Sequence, residues 1–361
     1  MAQTHPKFKA AVVQAVPAFL DLDAGVDKTI RLIDDAARQG ASLIAFPETW
    51  LPGYPFHVWL DTPAWSMSKG YVQRYFDNSL TYDGEHAMAL REAAARNRMT
   101  VVLGLSERSG GSLYIAQWII GPDGATIAKR RKLRPTHLER TVFGDGDGSD
   151  LAVHHTALGR LGALCCWEHL QPLSKFAMYS QHEQVHVAAW PSFSLYEFAH
   201  ALSYQTNNAA SQVYAVEGSC FVLAPSAVIS PEMVEMLCDN PEKRNLIRAG
   251  GGHAVAFGPD GGPLSDKLDE HEEGLLIVQI DLGLISLAKS CADPVGHYAR
   301  PDVLRLWFDK RPRRYVDQVV ADATALEQRF HGEAELTSAR SLRVALDAGG
   351  APQEAALDQG E

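Results

Sequence analysis

Apolar residues follow two alternating periods along most of the chain. Short apolar runs with β-branched residues predict strands, and apolar stripes with a period near 3.6 predict helices. The predicted strands are residues 8–14, 43–46, 100–105, 113–120, 125–132, 160–165, 185–189, 220–224, 253–257 and 275–280. The predicted helices are residues 26–38, 85–97, 173–182 and 204–216. This alternation predicts an α/β protein with two sheets.

The amino-acid composition changes near residue 311. No linker of useful length divides the chain before about residue 300, so residues 1–310 are expected to form one catalytic domain. Residues 311–361 are rich in Ala, Gly, Gln and Glu and poor in large apolar side chains. They are predicted to be a C-terminal extension that is partly disordered or associated with an oligomer.

Composition narrows the class of protein. The chain has 361 residues, with 33 Lys and Arg against 44 Asp and Glu, for a net charge of −11, which disfavours nucleic-acid binding. The longest apolar run, residues 220–229, is too short to span a membrane, and residues 1–15 do not resemble a secretory signal. Five cysteines, an odd number, favour free thiols. We therefore expect a cytoplasmic protein with no membrane or nucleic-acid partner.

Three segments at predicted strand ends carry groups suited to covalent catalysis. Glu48 follows one strand, Lys132 ends a hairpin and Cys166 follows a third strand. A cysteine nucleophile needs a base or a positive field to form its thiolate, and a carboxylate and an ammonium supply these. Each residue alone has an ordinary structural explanation, because a Cys in an apolar strand is usually an inert hydrophobe. Together they indicate attack on an electrophilic carbon that bears nitrogen.

The three segments resemble the Glu-Lys-Cys signature of the nitrilase (carbon-nitrogen hydrolase) superfamily. Their spacings are 132 − 48 = 84 and 166 − 132 = 34 residues, and the resemblance extends over about residues 7–300. Residues 49–56, 135–140 and 166–169 are similar to the nitrilase branch, especially bacterial arylacetonitrilases. The resemblance implies a four-layer αββα sandwich with two mixed β-sheets, no metal or organic cofactor, and homo-oligomers in which dimers can extend into spiral filaments.

The resemblance also implies roles for individual residues. The base falls on Glu48, the lysine on Lys132, the nucleophile on Cys166 and an additional carboxylate on Glu139. His137 and Glu168 are expected to support these catalytic residues. The preceding thiol, Cys165, is expected to pack or line the pocket, and His169 departs from the Asn that many members have at its position.

The substrate implied by the resemblance is a small organic nitrile with an arylaceto or bulky aliphatic group. Aromatic side chains near the strand ends suit such a group, since ligand pockets are mostly apolar. The backbone N–H of Trp167 is a candidate donor to the developing anion. The residues predicted to bind substrate are Tyr54, Trp59, Trp167, Trp190 and Phe193, with Phe56 as a further candidate.

Other functions remain open at this stage. An amidase of the same superfamily is the nearest alternative. Residues 182–186 read HEQVH, a zinc-peptidase pattern, but the strand predicted at residues 185–189 places its two histidines in different elements. Residues 144–150 resemble a calcium loop but lack its required Gly and Glu, which favours a turn. Vicinal thiols of a redox sensor and a non-catalytic oligomeric scaffold are the remaining alternatives.

Overall fold

Two mixed β-sheets dominate the computed structural model, which describes residues 5–313 and 316. Strands and helices alternate over most of that range. The strands are β1 (Lys7–Ala15), β2 (Ala41–Ala45), β3 (Thr100–Ser109), β4 (Ser112–Ile120), β5 (Thr126–Arg131), β6 (His154–Thr156), β7 (Gly159–Cys165), β8 (Val185–Ala189), β9 (Phe221–Ala224), β10 (Ser226–Ala227), β11 (Val255–Phe257) and β12 (Gly274–Asp281). The helices are α1 (Leu22–Arg38), α2 (His57–Leu60), α3 (Pro63–Ser68), α4 (Tyr71–Asp77), α5 (Glu85–Asn97), α6 (Pro172–Tyr179), α7 (Tyr204–Gly218), α8 (Pro231–Leu237), α9 (Pro241–Arg244) and α10 (Leu284–Cys291).

Strand order explains why several strand ends meet at one edge. The first sheet has the order β10-β1-β2-β3-β4-β5, with β12 also paired to β1. In this sheet β2 and β3 are parallel, while β4 is antiparallel to both β3 and β5, so β2 and β5 run in the same direction. The second sheet has the order β11-β9-β8-β7-β6, with β7, β8 and β9 parallel.

Alternating side chains of the strands build the layers. On β1, Val12 packs between the sheets with Val187 of β8, whereas Val13 packs outward with Ile33 of α1. The outer face of the second sheet packs against α6 and α7, where Met178 and Tyr214 are buried. Period-two alternation therefore gives one apolar layer between the sheets and one on each outer face. The predicted αββα sandwich with two mixed sheets is confirmed.

Most predicted elements are present. One predicted helix is shorter in the structure, and the observed elements α2–α4, α8–α10, β6 and β10 were not predicted. The helix predicted at residues 173–182 ends at Tyr179, because His182 adopts a left-handed φ of 57° that cannot continue a helix. Helices α2, α3 and α4 were not predicted, because each is short and rich in aromatic residues and lacks a long apolar stripe.

Residues 5–312 form one compact unit. Apart from residues 311–313 and 316, the predicted C-terminal extension at residues 311–361 lies outside the described residues. Within the described part of the chain, no helix combines the length and apolarity needed to cross a bilayer.

Candidate active site

Glu48 is placed by the loop that follows β2. Its backbone N–H donates to the carbonyl of Trp190 at 3.2 Å, which ties the loop to the second sheet. The next residue, Thr49, has a left-handed φ of 47°, so the chain turns sharply directly after the carboxylate. The loop crosses β3 at Gly104, where an added Cβ would lie 1.9 Å from the Pro47 carbonyl oxygen. Glycine at this position allows the loop to approach the sheet.

Lys132 follows β5 and extends between two carboxylates. Its Nζ lies 2.8 Å from Glu139 Oε2 and 3.3 and 3.4 Å from the two carboxylate oxygens of Glu48. Glu139 lies in a 3₁₀-helix whose N-cap, Thr136, donates its N–H to Oε2 at 2.6 Å. The other oxygen of Glu139 accepts from the Tyr54 hydroxyl at 2.7 Å. Glu139 is thus held by three donors, whereas Glu48 is held more loosely.

Cys166 begins a 3₁₀-helix directly after β7. It adopts a left-handed φ of 47°, a strained conformation for a residue with a side chain. Its Sγ, a carboxylate oxygen of Glu48 and one of Glu139 all lie within 4.8 Å of one another. The structure therefore brings Glu48, Lys132, Glu139 and Cys166 together, and all four are buried.

Burial controls the protonation of this cluster. Loss of solvent raises the pKa of Glu48 to about 8, although the Lys132 ammonium opposes that shift. Burial also raises the pKa of the Cys166 thiol well above its usual value, against the lowering effects of Lys132 and of the Trp167 backbone N–H. A neutral thiol therefore faces a carboxylate whose proton affinity is unusually high.

Glu168 joins the segments that carry Lys132 and Cys166. Its carboxylate accepts the backbone N–H of Leu133 at 2.8 Å and that of Cys165 at 2.7 Å, each next to a cluster residue. It also accepts two hydrogen bonds from Arg130, at 2.7 and 2.9 Å. Burial alone raises the pKa of Glu168, but the Arg130 guanidinium and these hydrogen bonds bring it below its ordinary value. Glu168 thus stays ionised and connects the ends of β5 and β7.

The predicted substrate-binding residues line one small cavity, of about 50 Å³, at the Cys166 sulfur. Trp59 also borders a neighbouring cavity of about 740 Å³. His137 does not reach the carboxylates, because it is exposed and stacks on Trp59 with ring centroids 5.5 Å apart. The cavity lining comprises Tyr54, Phe56, Trp59, Thr136, Glu139, Cys166, Trp167, Trp190, Pro191, Ser192, Phe193, Leu195, Leu202 and Asn207.

Several residues around the site were not predicted. Arg130 is the buried partner of Glu168, and its place in the basic run beside Lys132 was the only sequence signal for it. Asn207 accepts the Trp167 indole N–H at 3.0 Å from helix α7, about 40 residues away in the chain, which no local pattern indicates. Cys165 is fully buried, as its expected packing role requires.

The donor atoms of Glu48, Glu139 and Cys166 are close enough together to ligate a metal ion. The ammonium of Lys132 lies among them, however, and contacts both carboxylates. One cation thus already balances these oxygens, which disfavours a second.

The two alternative metal motifs are used in other ways. In the HEQVH segment, His182 is exposed after α6, whereas His186 is buried on β8, so the two do not share a helical face. In the predicted turn at residues 144–150, the Asp150 carboxylate accepts the backbone N–H groups of Arg131 and Asp147 at 2.8 and 2.7 Å. Both observations support the interpretations made from the sequence.

Comparisons with known proteins agree with this geometry. Residues 9–290 match the carbon-nitrogen hydrolase family. A nitrilase of Pseudomonas syringae is 61% identical over 84% of this chain and 90% of its own length. An aliphatic nitrilase of Rhodococcus rhodochrous is 48% identical over 96% and 94%, and an arylacetone-specific nitrilase of Alcaligenes faecalis is 49% identical over 93% and 94%. A solved carbon-nitrogen hydrolase of Helicobacter pylori has a TM-score of 0.64 and 18% identity, covering 82% of this chain and 97% of its own.

Proposed function

The chain belongs to the carbon-nitrogen hydrolase family and to its nitrilase branch, and from that membership we propose that it hydrolyses an organic nitrile to a carboxylic acid and ammonia, with Cys166 as nucleophile. The observation that carries the proposal is the buried cluster in which the Cys166 sulfur lies within 4.8 Å of carboxylate oxygens of Glu48 and Glu139. These groups suffice for covalent catalysis by a thiol.

The first step forms a covalent thioimidate. Glu48 takes the thiol proton of Cys166 as the sulfur adds to the nitrile carbon, and the nitrile nitrogen gains a proton from the cluster. Glu48 suits this role because Lys132 holds its oxygens only loosely and because its pKa of about 8 lies near neutral pH, where a general base is partly ionised and still basic enough to take a proton. The Lys132 ammonium and the Trp167 N–H stabilise negative charge as it develops.

Two water molecules complete the reaction. The first, deprotonated by Glu48, adds to the thioimidate carbon and gives a tetrahedral intermediate, which expels ammonia and leaves a thioester. The second water hydrolyses the thioester, releasing the carboxylic acid and the Cys166 thiol. If the intermediate expels sulfur instead, an amide is the product. Glu139 accepts hydrogen bonds from Lys132, Tyr54 and Thr136. Because Tyr54 and Thr136 fix its carboxylate, Glu139 keeps the Lys132 ammonium in place.

The aromatic lining favours a nitrile with an aryl or bulky aliphatic group. Tyr54, Trp190 and Phe193 present apolar surface around the Cys166 sulfur, as expected for a pocket that takes an apolar group. The relatives include both an aliphatic and an arylacetone-specific nitrilase, so both substrate types belong in the test.

The test is a panel of nitriles with ammonia, acid and amide all quantified. Phenylacetonitrile, mandelonitrile, benzonitrile and an aliphatic dinitrile cover the substrate types. Cys166→Ala is expected to lose at least about 10⁴-fold in kcat, because the nucleophile is gone. Cys165→Ala is the matched control, since it alters the neighbouring thiol and is expected to remain active. Wild-type activity in pure Cys166→Ala protein would contradict the proposal.

The same panel distinguishes the nearest alternative. An amidase of the superfamily would release ammonia from phenylacetamide at least as fast as from phenylacetonitrile. A nitrilase would instead convert the nitrile mainly to acid, with amide as a minor product. Preference for the amide would replace the proposed substrate class and leave Cys166 as nucleophile.

We also propose that the protein acts as a homo-oligomer, either a dimer or a spiral filament, in the cytoplasm. In support of an oligomer, large apolar side chains such as Leu287, Leu304 and Trp307 are exposed on the described part of the chain. Contact with a second copy of the chain would remove such side chains from water. Light scattering coupled to size-exclusion chromatography would test it, and a monomer at all concentrations would contradict it.

A further inference from the structure

A buried chain of hydrogen bonds behind the nucleophile takes no part in the mechanism above. The Tyr214 hydroxyl donates to Glu183 Oε2 at 2.6 Å, and Glu183 Oε1 lies 2.7 Å from His186 Nδ1. His186 Nε2 lies 2.9 Å from His169 Nε2, and His169 Nδ1 lies 2.6 Å from the carbonyl oxygen of Cys166. This series of hydrogen bonds thus begins on helix α7, passes through His186 at the start of β8 and ends on the backbone of Cys166.

The surrounding structure accommodates this chain closely. Glu183, His186, His169 and Tyr214 are each at most 2% exposed. The Tyr214 ring stacks on His186 with centroids 3.8 Å apart. On β7, Gly162 leaves room for the glutamate, because an added Cβ would lie 2.0 Å from Glu183 Oε1. A buried polar chain with every link filled restricts the side chains to one arrangement.

The chemistry of its last link fixes the direction of the whole chain. The Cys166 carbonyl can only accept, so His169 Nδ1 must carry a proton. Burial lowers the pKa of His169 to about 3 and that of His186 well below its usual value, so both rings are neutral. His169 Nε2 then accepts from His186 Nε2–H, which leaves His186 Nδ1 as an acceptor. Glu183 must therefore be protonated, in agreement with burial raising its pKa to about 8.

The end of the chain acts on the peptide that joins Cys166 to Trp167. The Cys166 carbonyl and the Trp167 N–H belong to one planar trans peptide and point in opposite directions. A donor fixed on the carbonyl therefore sets the direction of the N–H. That N–H acts on the Cys166 thiol in the direction that lowers its pKa, so it faces the sulfur side of the peptide.

We propose that His169, held by His186 and Glu183, is a positioning residue that fixes the Cys166–Trp167 peptide and so directs the Trp167 N–H toward the reacting sulfur and the anion that forms there. The proposal rests on Cys166 being the nucleophile of the proposed function. It also gives the residues at 183 and 186 of the HEQVH segment a role in catalysis without a metal ion.

Replacing His169 by Asn or by Gln tests the two hydrogen bonds of its imidazole one at a time. The shorter amide of His169→Asn can still donate to the Cys166 carbonyl but does not reach His186. The longer amide of His169→Gln reaches toward His186 and leaves the carbonyl without its donor. We expect kcat to stay within about threefold of wild type in His169→Asn and to fall about 10- to 100-fold in His169→Gln, with KM changed less than about twofold in both.

Position 183 gives an independent comparison should either variant at 169 not fold. The amide of Glu183→Gln can donate to His186 and accept from Tyr214, as a protonated glutamic acid does, so kcat should stay within about threefold of wild type. Glu183→Ala leaves His186 without its donor, and we expect a fall of about tenfold in kcat. His182→Gln changes the exposed histidine of the same segment and serves as the control, with wild-type kinetics.

Alkylation of Cys166 gives a readout that does not depend on the substrate. The rate of iodoacetamide labelling is followed against pH by mass spectrometry of the Cys166 peptide. The apparent thiol pKa should rise in His169→Gln and Glu183→Ala and match wild type in His169→Asn, Glu183→Gln and His182→Gln. Equal kcat and equal thiol pKa in the Gln and Asn variants at 169, or in the Ala and Gln variants at 183, would overturn the proposal. Absence of nitrile hydrolysis in the wild type with these labelling shifts intact would instead overturn the proposed function.

Discussion

Replacing Glu168 by Gln tests whether one buried carboxylate connects the Lys132 and Cys166 segments. The carboxylate accepts four hydrogen bonds of 2.7 to 2.9 Å, two from Arg130 and one each from the backbone N–H groups of Leu133 and Cys165. A glutamine has one carbonyl oxygen, and its NH₂ group would face two of these donors. The substitution therefore removes the negative charge opposite Arg130 and leaves buried N–H groups unpaired.

The size of the effect follows from what Arg130 retains. Breaking a buried ion pair by removing one partner costs about 3–5 kcal/mol. Arg130 keeps hydrogen bonds to Gln117 Oε1 at 2.9 Å and to the Arg131 carbonyl at 2.8 Å, so the lower limit of about 3 kcal/mol applies. For a chain of 361 residues, with an unfolding entropy of roughly 2.1 cal/mol/K per residue, that corresponds to a fall in Tm of roughly 4 °C. Displacement of the catalytic segments by about 1 Å would lower kcat about 100-fold.

The assay is thermal unfolding at neutral pH together with kcat on the best nitrile. Glu235→Gln is the matched control, because it removes a carboxylate from an exposed ion pair with Arg244 and should change stability by less than about 0.5 kcal/mol. The folded-state pKa of Glu168 is lowered, so its stabilisation is present above the unfolded-state pKa and is lost as pH falls through the folded value. The difference in Tm should therefore narrow in acid. Wild-type Tm and kcat in Glu168→Gln would refute this account.

Three further experiments test the cluster of Glu48, Lys132, Glu139 and Cys166. Gly104→Ala should lower kcat about 100-fold, because its Cβ would lie 1.9 Å from the carbonyl oxygen of the residue before Glu48, whereas Gly111→Ala, with open space around it, should match wild type. The pKa of Glu48 is raised to about 8, and the ionised carboxylate is the base, so kcat/KM should increase with pH up to about 8. A profile that is flat from about pH 6 to about pH 9 would count against Glu48 as the base. Tyr54→Phe should lower kcat about tenfold, because Glu139 loses a 2.7 Å hydrogen bond, and an unchanged kcat would show that this bond does not matter.

Periodicity predicted most strands and the long helices of this protein well, and the reason is local. On β1, Val12 and Val13 face opposite layers, and alternation of this kind is visible in any strand that is buried on both faces. Helix α5 was predicted at its observed bounds, because its alanines and Leu90 form one stripe that ends before Arg98, which adopts a left-handed φ of 49°. Such features need no knowledge of distant residues.

The partners of Glu168 and Trp167 could not be predicted in this way. Arg130 and Glu168 lie 38 residues apart, and Trp167 and Asn207 lie 40 apart, on elements whose approach is set by packing of the whole domain. The left-handed φ of Cys166 and of Thr49 also left no local signal, because neither residue type favours that conformation. Family resemblance supplied the reacting groups, but the contacts that hold them depend on tertiary structure.

The HEQVH segment shows how the element that carries a motif decides its chemistry. On a helix, its two histidines would share a face and suit a metal ion. Here β8 begins within the segment, so His186 turns into the interior with Glu183 while His182 stays exposed. Because the inward groups form a neutral chain, they orient the peptide of Cys166 without adding charge behind the thiol. Burial then favours retention of a proton by Glu48, an effect that the Lys132 ammonium opposes and the neighbouring Glu139 carboxylate reinforces.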